Sequence, residues 1–294
     1  MPASPDPSTA PRKSSSRLAL LAQFVLIPVV IVAIGLSVFL LFGLVAREAE
    51  SPRAYLREIR SGSANRRWQA AFEFSRSLRR SRARPDPGLV QDVVQTLEWA
   101  KNDDPKVQRY LTRALGYLGD PAAVPALIGA LDNPDADTRL WAAEALGSIG
   151  DSRARDALSR QLTSDDAGLR KQVIHSLGAL GDARAADPIF PFLRDPVADV
   201  RWNAALALAR LGDRRGTPVL LEMLNRSQLA EVPGIRPLQE ERAIMAALIA
   251  LSELGIQEAR PLISQLSRQD ESLRIRQAAT QALEKLEQEH TDPS

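Results

Sequence analysis

The sequence contains no cysteine and only two histidines, His175 and His290, among its 294 residues. The first absence excludes disulfides, thiolate metal sites and a cysteine nucleophile, and it is compatible with either side of a membrane. The second leaves little for acid–base chemistry, and metal ligation needs several converging groups. His175 falls six residues before Gly181 with no second histidine nearby, and reads as structural; His290 sits in the terminal tail. There is no phosphate-binding loop and no serine-nucleophile signature. The alternation that marks β-strands is also missing. No catalytic, cofactor-binding or metal-binding residues are therefore assigned, and the chain reads as a non-enzyme.

A large charge of one sign is missing too, since the net charge is +2. That balance hides an asymmetry. Residues 47–84 hold eleven Arg against four Glu, whereas residues 85–294 sum to −7. The acidic part argues against a nucleic-acid partner. The basic part offers a lipid-surface module as an alternative, because basic stretches are drawn to anionic headgroups.

What is present begins with an apolar run. Residues 24–45 are apolar apart from Pro28, Ser37 and two glycines, and no charge occurs from Leu18 to Ala46. About 20 apolar residues span a bilayer core, so a transmembrane helix is expected over 18–46. A signal peptide would have an apolar region of only about 7–15 residues, and Leu44-Val45-Ala46 is a poor cleavage site. A single-pass membrane protein follows. The side that carries the rest is left open, because three basic residues precede the run and four follow it. Residues 1–17 are rich in Pro and Ser and are expected to be a disordered tail.

The second feature is a period. Gly119, Gly150, Gly181 and Gly212 stand 31 residues apart, each preceded by Leu or Ile and followed by Asp; Gly255 follows after 43. Such a period marks stacked supersecondary units that share a continuous core. Apolar residues recur one, four, seven and eight positions before the glycine, as in Ile149, Leu146, Ala143 and Ala142, which traces one helical stripe. Five before it stands a small residue each time: Ala114, Ala145, Ser176, Ala207 and Ala250. Small side chains there would let neighbouring helices approach closely. The glycine suits a left-handed helix end, and the next Asp suits the start of another helix. Turn signals such as Asp132-Asn133-Pro134-Asp135 split each unit into two helices. Degenerate copies at 66–72 and 275–287 bring the count to about seven antiparallel pairs over 47–290, with 291–294 as a tail. Residues 81–88 read as a linker. About twelve extra residues around 225–239 read as an insertion, which in a stacked array maps to a loop on one edge.

Residues 135–151 (DADTRLWAAEALGSIGD) and 199–213 (DVRWNAALALARLGD) resemble HEAT repeats, and more narrowly the short HEAT-like subtype of phycobilisome bilin-lyase subunits. The resemblance covers about four-fifths of the chain. It implies a right-handed α-solenoid used as a protein-binding scaffold, some relatives of which assist enzymes. It also implies a role for Arg139, Arg170, Arg201 and Arg276, which stand eleven residues before their glycine or its equivalent. In such arrays this arginine commonly pairs with a nearby Asp in a ladder. Asp135, Asp166 and Asp199 are candidate partners, and a binding stripe is the alternative.

Trp68, Trp141 and Trp202 read as equivalent positions of three of the second helices. Exposed, they would be binding hot spots; within the stack they are packing, which is expected for two of the three. With Arg226 and Arg236 of the insertion they form the candidate binding surface. The expectation is thus an all-α solenoid behind a transmembrane helix, serving as a membrane-anchored, non-catalytic scaffold for a protein partner of unknown identity. The alternative is an accessory subunit of a bilin-lyase-like or other cofactor-attaching enzyme.

Overall fold

The computed structural model describes residues 27–48, 51–80 and 88–291. The expected tail 1–17 and the linker residues 81–87 lie outside them. Among the described residues there are sixteen α-helices and no strand. Contacts divide the chain into two units, residues 1–54 and 55–294.

The first unit holds helix α1, Ile27–Glu48. It corrects the first expectation. Among the described residues no helix is long and apolar enough to cross a membrane. As described, the helix includes the charged pair Arg47-Glu48, and residues 18–26 of the expected span lie outside the described residues. The transmembrane segment over 18–46, the single-pass localisation and the membrane contact that depended on it are withdrawn with that finding.

The second unit is the stack. Its helices are α2 (Pro52–Ser61), α3 (Ala64–Arg80), α4 (Leu89–Trp99), α5 (Pro105–Leu118), α6 (Val124–Ala130), α7 (Ala136–Ile149), α8 (Arg155–Arg160) and α9 (Ala167–Leu180). They continue as α10 (Ala186–Ile189), α11 (Ala198–Arg210), α12 (Thr217–Glu222), α13 (Arg226–Ala230), α14 (Pro237–Glu253), α15 (Arg260–Gln269) and α16 (Leu273–Thr291). They form seven pairs, with α13 as an addition to the sixth. The second helices α3, α5, α7, α9, α11, α14 and α16 each pack on the next in that order.

The punctuation of each pair follows from two residues. Gly119, Gly150, Gly181, Gly212 and Gly255 all have φ between +63° and +76°, a left-handed conformation that only glycine takes without strain. The carboxylates of Asp120, Asp151, Asp182 and Asp213 then accept the backbone N–H two residues on. The amides so capped open a short 3₁₀ turn, and the first helix of the pair grows from it.

The stripe ahead of each glycine is the core. Leu115, Leu146, Leu177, Leu208 and Leu251 are fully buried. The small residues five before the glycine do what their size suggested, but only together with a second set. A Cβ on Gly116, Gly147 or Gly178 would lie 2.6–2.9 Å from atoms of Ala145, Ser176 or Ala207 on the next second helix. Glycine on one helix thus faces a small residue on its neighbour, and this permits the close spacing. Ser176 adds a buried hydrogen bond, its Oγ donating to the Ala143 carbonyl at 2.7 Å.

That pattern stops at α11, where Ala209 and then Ser252 of α14 replace the glycine. The buried residues divide there into two clusters. One runs from Leu56 to Leu208 and the other from Trp202 to Leu286, so α11 contributes to both. The extra residues of the sixth pair enter at this joint. They are not a loose loop, because they form α13 and bury Leu229 to 2% exposure.

Candidate protein-binding face

The four periodic arginines are held by backbone. Each lies in the first turn of its second helix and turns Nη1 back onto two carbonyls of the loop just before. Arg139 donates to Asn133 O (2.8 Å) and Pro134 O (3.0 Å), and Arg170 to Ser164 O (2.9 Å) and Asp165 O (3.1 Å). Arg201 does the same with Asp195 and Pro196, and Arg276 with Asp270 and Glu271. The group at this position thus satisfies turn carbonyls that the helix cannot reach.

The carboxylates expected as their partners are engaged elsewhere. Asp135 takes a fork from Arg109 (2.9 and 3.3 Å), Asp166 caps α9, and Asp199 pairs with Lys171 at 3.2 Å. Of the four arginines, Arg170 has a carboxylate fork, to Asp195 of the next pair. Burial pushes the Asp135 carboxyl up, but hydrogen bonds from Arg109 and Thr138 outweigh it and hold it below the usual carboxylate range.

The tryptophans do not share one register. Trp141 stands nine residues before Gly150 and Trp202 ten before Gly212, and one residue turns the side chain by about 100° around the helix. Trp202 is 9% exposed and belongs to the second core cluster. Trp68 and Trp141 are half-buried and covered by cations. Lys106 Nζ lies 4.9 Å from the Trp68 ring centre, and the Arg113 guanidinium lies 3.9 Å from that of Trp141. Arg113 also donates Nε–H to Tyr117 Oη at 2.8 Å. Phe72 of α3 meets Tyr110 of α5 edge to face at 5.2 Å. Rings therefore run across α3, α5 and α7 on one side of the stack, with Phe72 and Tyr117 exposed. Phe72, Tyr110, Arg113 and Tyr117 were not singled out in the sequence. Their signal was position, since they stand nine, six and two before the glycine of α5 or at the matching place in α3.

Further along the stack, on the second helices α9, α11 and α14, a cleft of about 430 Å³ opens at the joint between α11 and α14. Lys171, His175, Asp199, Trp202 and Arg242 line it. The His175 ring is held below its ordinary pKa by burial and then by Arg210, whose Nη1 lies 3.2 Å from Nδ1. Among the described residues no three His, Cys, Asp or Glu side chains are placed to hold a metal ion.

The two insertion arginines part company. Arg226 is enclosed by carboxylates: Nε and Nη2 donate to Asp270 (2.9 Å each) and Nη1 to Glu240 (2.7 Å). It ties the sixth pair to the seventh. Arg236 is exposed and touches Gln239 at the start of α14.

Comparison with known proteins agrees with this architecture. A family model for HEAT repeats matches residues 93–178 and 160–233. Among solved structures, a chain of the complex of CpcE and CpcF of phycocyanin lyase from Nostoc sp. PCC7120 superposes with a TM-score of 0.53. It is 23% identical, and the match covers 83% of this chain and 90% of that one. YibA of Escherichia coli superposes with a TM-score of 0.50 at 14% identity, over 84% of this chain and 96% of that one. No curated protein matches significantly. With a 31-residue period, left-handed glycines and paired helices, residues 93–233 are HEAT repeats.

Proposed function

We propose that the stack is a protein-binding scaffold without catalytic chemistry of its own, and that it presents the side built by its second helices to a partner protein. One observation carries this. Trp68, Phe72, Tyr110, Tyr117 and Trp141 form a run of rings over three successive helices, and Phe72 and Tyr117 are 36% and 37% exposed. Aromatic side chains supply much of the binding energy at protein interfaces, because they bury a large area at little cost in rotamer freedom. A photo-crosslinking residue placed at Tyr117 in the full-length protein tests it. Crosslinks to one protein from Tyr117, and not from exposed Leu262 on the first-helix side, are expected. Crosslinks from Leu262 alone would refute it.

A second reading is supported by the fold of the phycocyanin lyase chain, which is matched over most of both chains. In that version the scaffold is an accessory subunit of a cofactor-attaching enzyme. Co-purification of a second subunit with transferase or lyase activity would favour it, and a non-enzymatic partner would exclude it.

A further inference from the structure

Arg113 and Lys106 differ from the arginines of the middle pairs. Arg109, Arg155 and Arg170 end on carboxylates. Arg113 and Lys106 end on rings, and among the described residues neither forms an ion pair with a carboxylate. Nη1 and Nη2 of Arg113 are thus left with unused donors beside the exposed Tyr117 ring. Glu144 stands at the matching level of α7 and forms no ion pair with Arg113.

We propose that this part of the face, on α3, α5 and α7, takes an acidic segment of the partner protein, with carboxylates of that segment pairing with Arg113 and Lys106. The proposal rests on the protein-binding reading above and gives it a chemistry. Stacking on a ring fixes the plane of a guanidinium while leaving its edge open, and that edge matches a carboxylate with two parallel hydrogen bonds. The flanking rings Trp68, Phe72, Tyr117 and Trp141 hold water away, which strengthens the charge pair. Cations among rings also suit single-stranded nucleic acid. Here, however, Glu73, Asp135, Asp137 and Glu144 lie on the same helices or the loop between them, and residues 85–294 carry a net −7. A continuous phosphate backbone would meet those carboxylates, whereas a peptide can space its charges between them.

The test uses the full-length protein and a fluorescein-labelled peptide of alternating Glu and Leu, with binding read by fluorescence anisotropy. Binding should weaken with salt. Arg113→Glu should weaken it roughly tenfold or more, and Arg242→Glu, an equal charge change on α14 further along the stack, should leave it nearly unchanged. Lys106→Glu alters an exposed side chain and reads the same contact should Arg113→Glu fail to fold. No binding of the peptide, an equal loss in Arg242→Glu, or tighter binding of an oligothymidylate would overturn the proposal. A partner that crosslinks at Tyr117 equally well in wild type and Lys106→Glu/Arg113→Glu would leave protein binding standing and remove the acidic segment.

Discussion

Gly178 and Ala207 set the spacing between two helices by having almost nothing to put there. Gly178→Ala is a direct measure of that. In an exposed helix the change would stabilise by up to about 1 kcal/mol. Here the new methyl would meet Ala207 Cβ at 2.8 Å and Cα at 2.9 Å, and neither belongs to a flexible side chain. Overpacking costs about 1–3 kcal/mol, so a net loss of stability is expected, read as a lower midpoint in urea. Ala207→Phe presses on the same joint from the other side. It should cost at least as much, and unchanged melting of both variants would refute the close approach. The position five before the glycine was legible as small in every pair. Its counterpart three before the glycine was not read, because Gly116, Gly147 and Gly178 look like helix-weakening residues until the neighbouring helix is in place.

At the scale of the element, α13 shows what the extra residues do. The Asp270 side chain is only 1% exposed, and the Arg226 side chain is 26% exposed. Arg226→Ala would leave a buried carboxylate with one partner fewer, and part of that charge would be screened by water reaching the gap. A loss of about 1–3 kcal/mol is expected from chemical denaturation. Burial raises the Asp270 carboxyl, but Arg226 and the Ser272 amide more than compensate, so its pKa in the folded state is depressed. The pair's contribution is therefore present above the unfolded value of about 3.9 and is lost as pH falls through the lower folded value. Wild type should lose more stability than Arg226→Ala between neutral pH and about pH 3, and equal slopes would contradict this. Removing residues 226–237 takes out Arg226 and buried Leu229, so it should lower the melting temperature while most of the helical circular dichroism remains.

On the scale of the whole stack, stability in a repeat array is close to a sum of units and the joints between them. The contact of a glycine with a small residue, present at the three joints from α5 to α11, is missing at the joint between α11 and α14, and the two buried clusters meet there. Native-state hydrogen exchange should accordingly find two cooperative blocks, with residues 217–291 opening separately from residues 89–208. Identical protection throughout both blocks would contradict it. The cleft lined by Trp202 and Arg242 lies at that joint, so an occupant there would couple the blocks, and full unfolding would become more cooperative when it binds.

The sequence alone determined the repeat and its punctuation, because both depend on interactions within about one turn of chain. A glycine is needed at a left-handed helix end and an Asp at the start of the next turn, and an apolar stripe follows the helical period. It also indicated that about seven pairs would stack, since one pair cannot bury its stripe alone. It did not determine which residues the periodic arginines would grip. Arg139 and Arg201 were expected on carboxylates and hold loop carbonyls, a choice made by how the loop folds back. The sequence named Trp68 and Trp141 but did not join them to Phe72, Tyr110, Arg113 and Tyr117, since these residues come from three helices and meet only when those helices are side by side. The apolar run at 18–46 shows the same limit from the other direction. Composition suggested a span, whereas among the described residues no helix is long and apolar enough to cross a membrane.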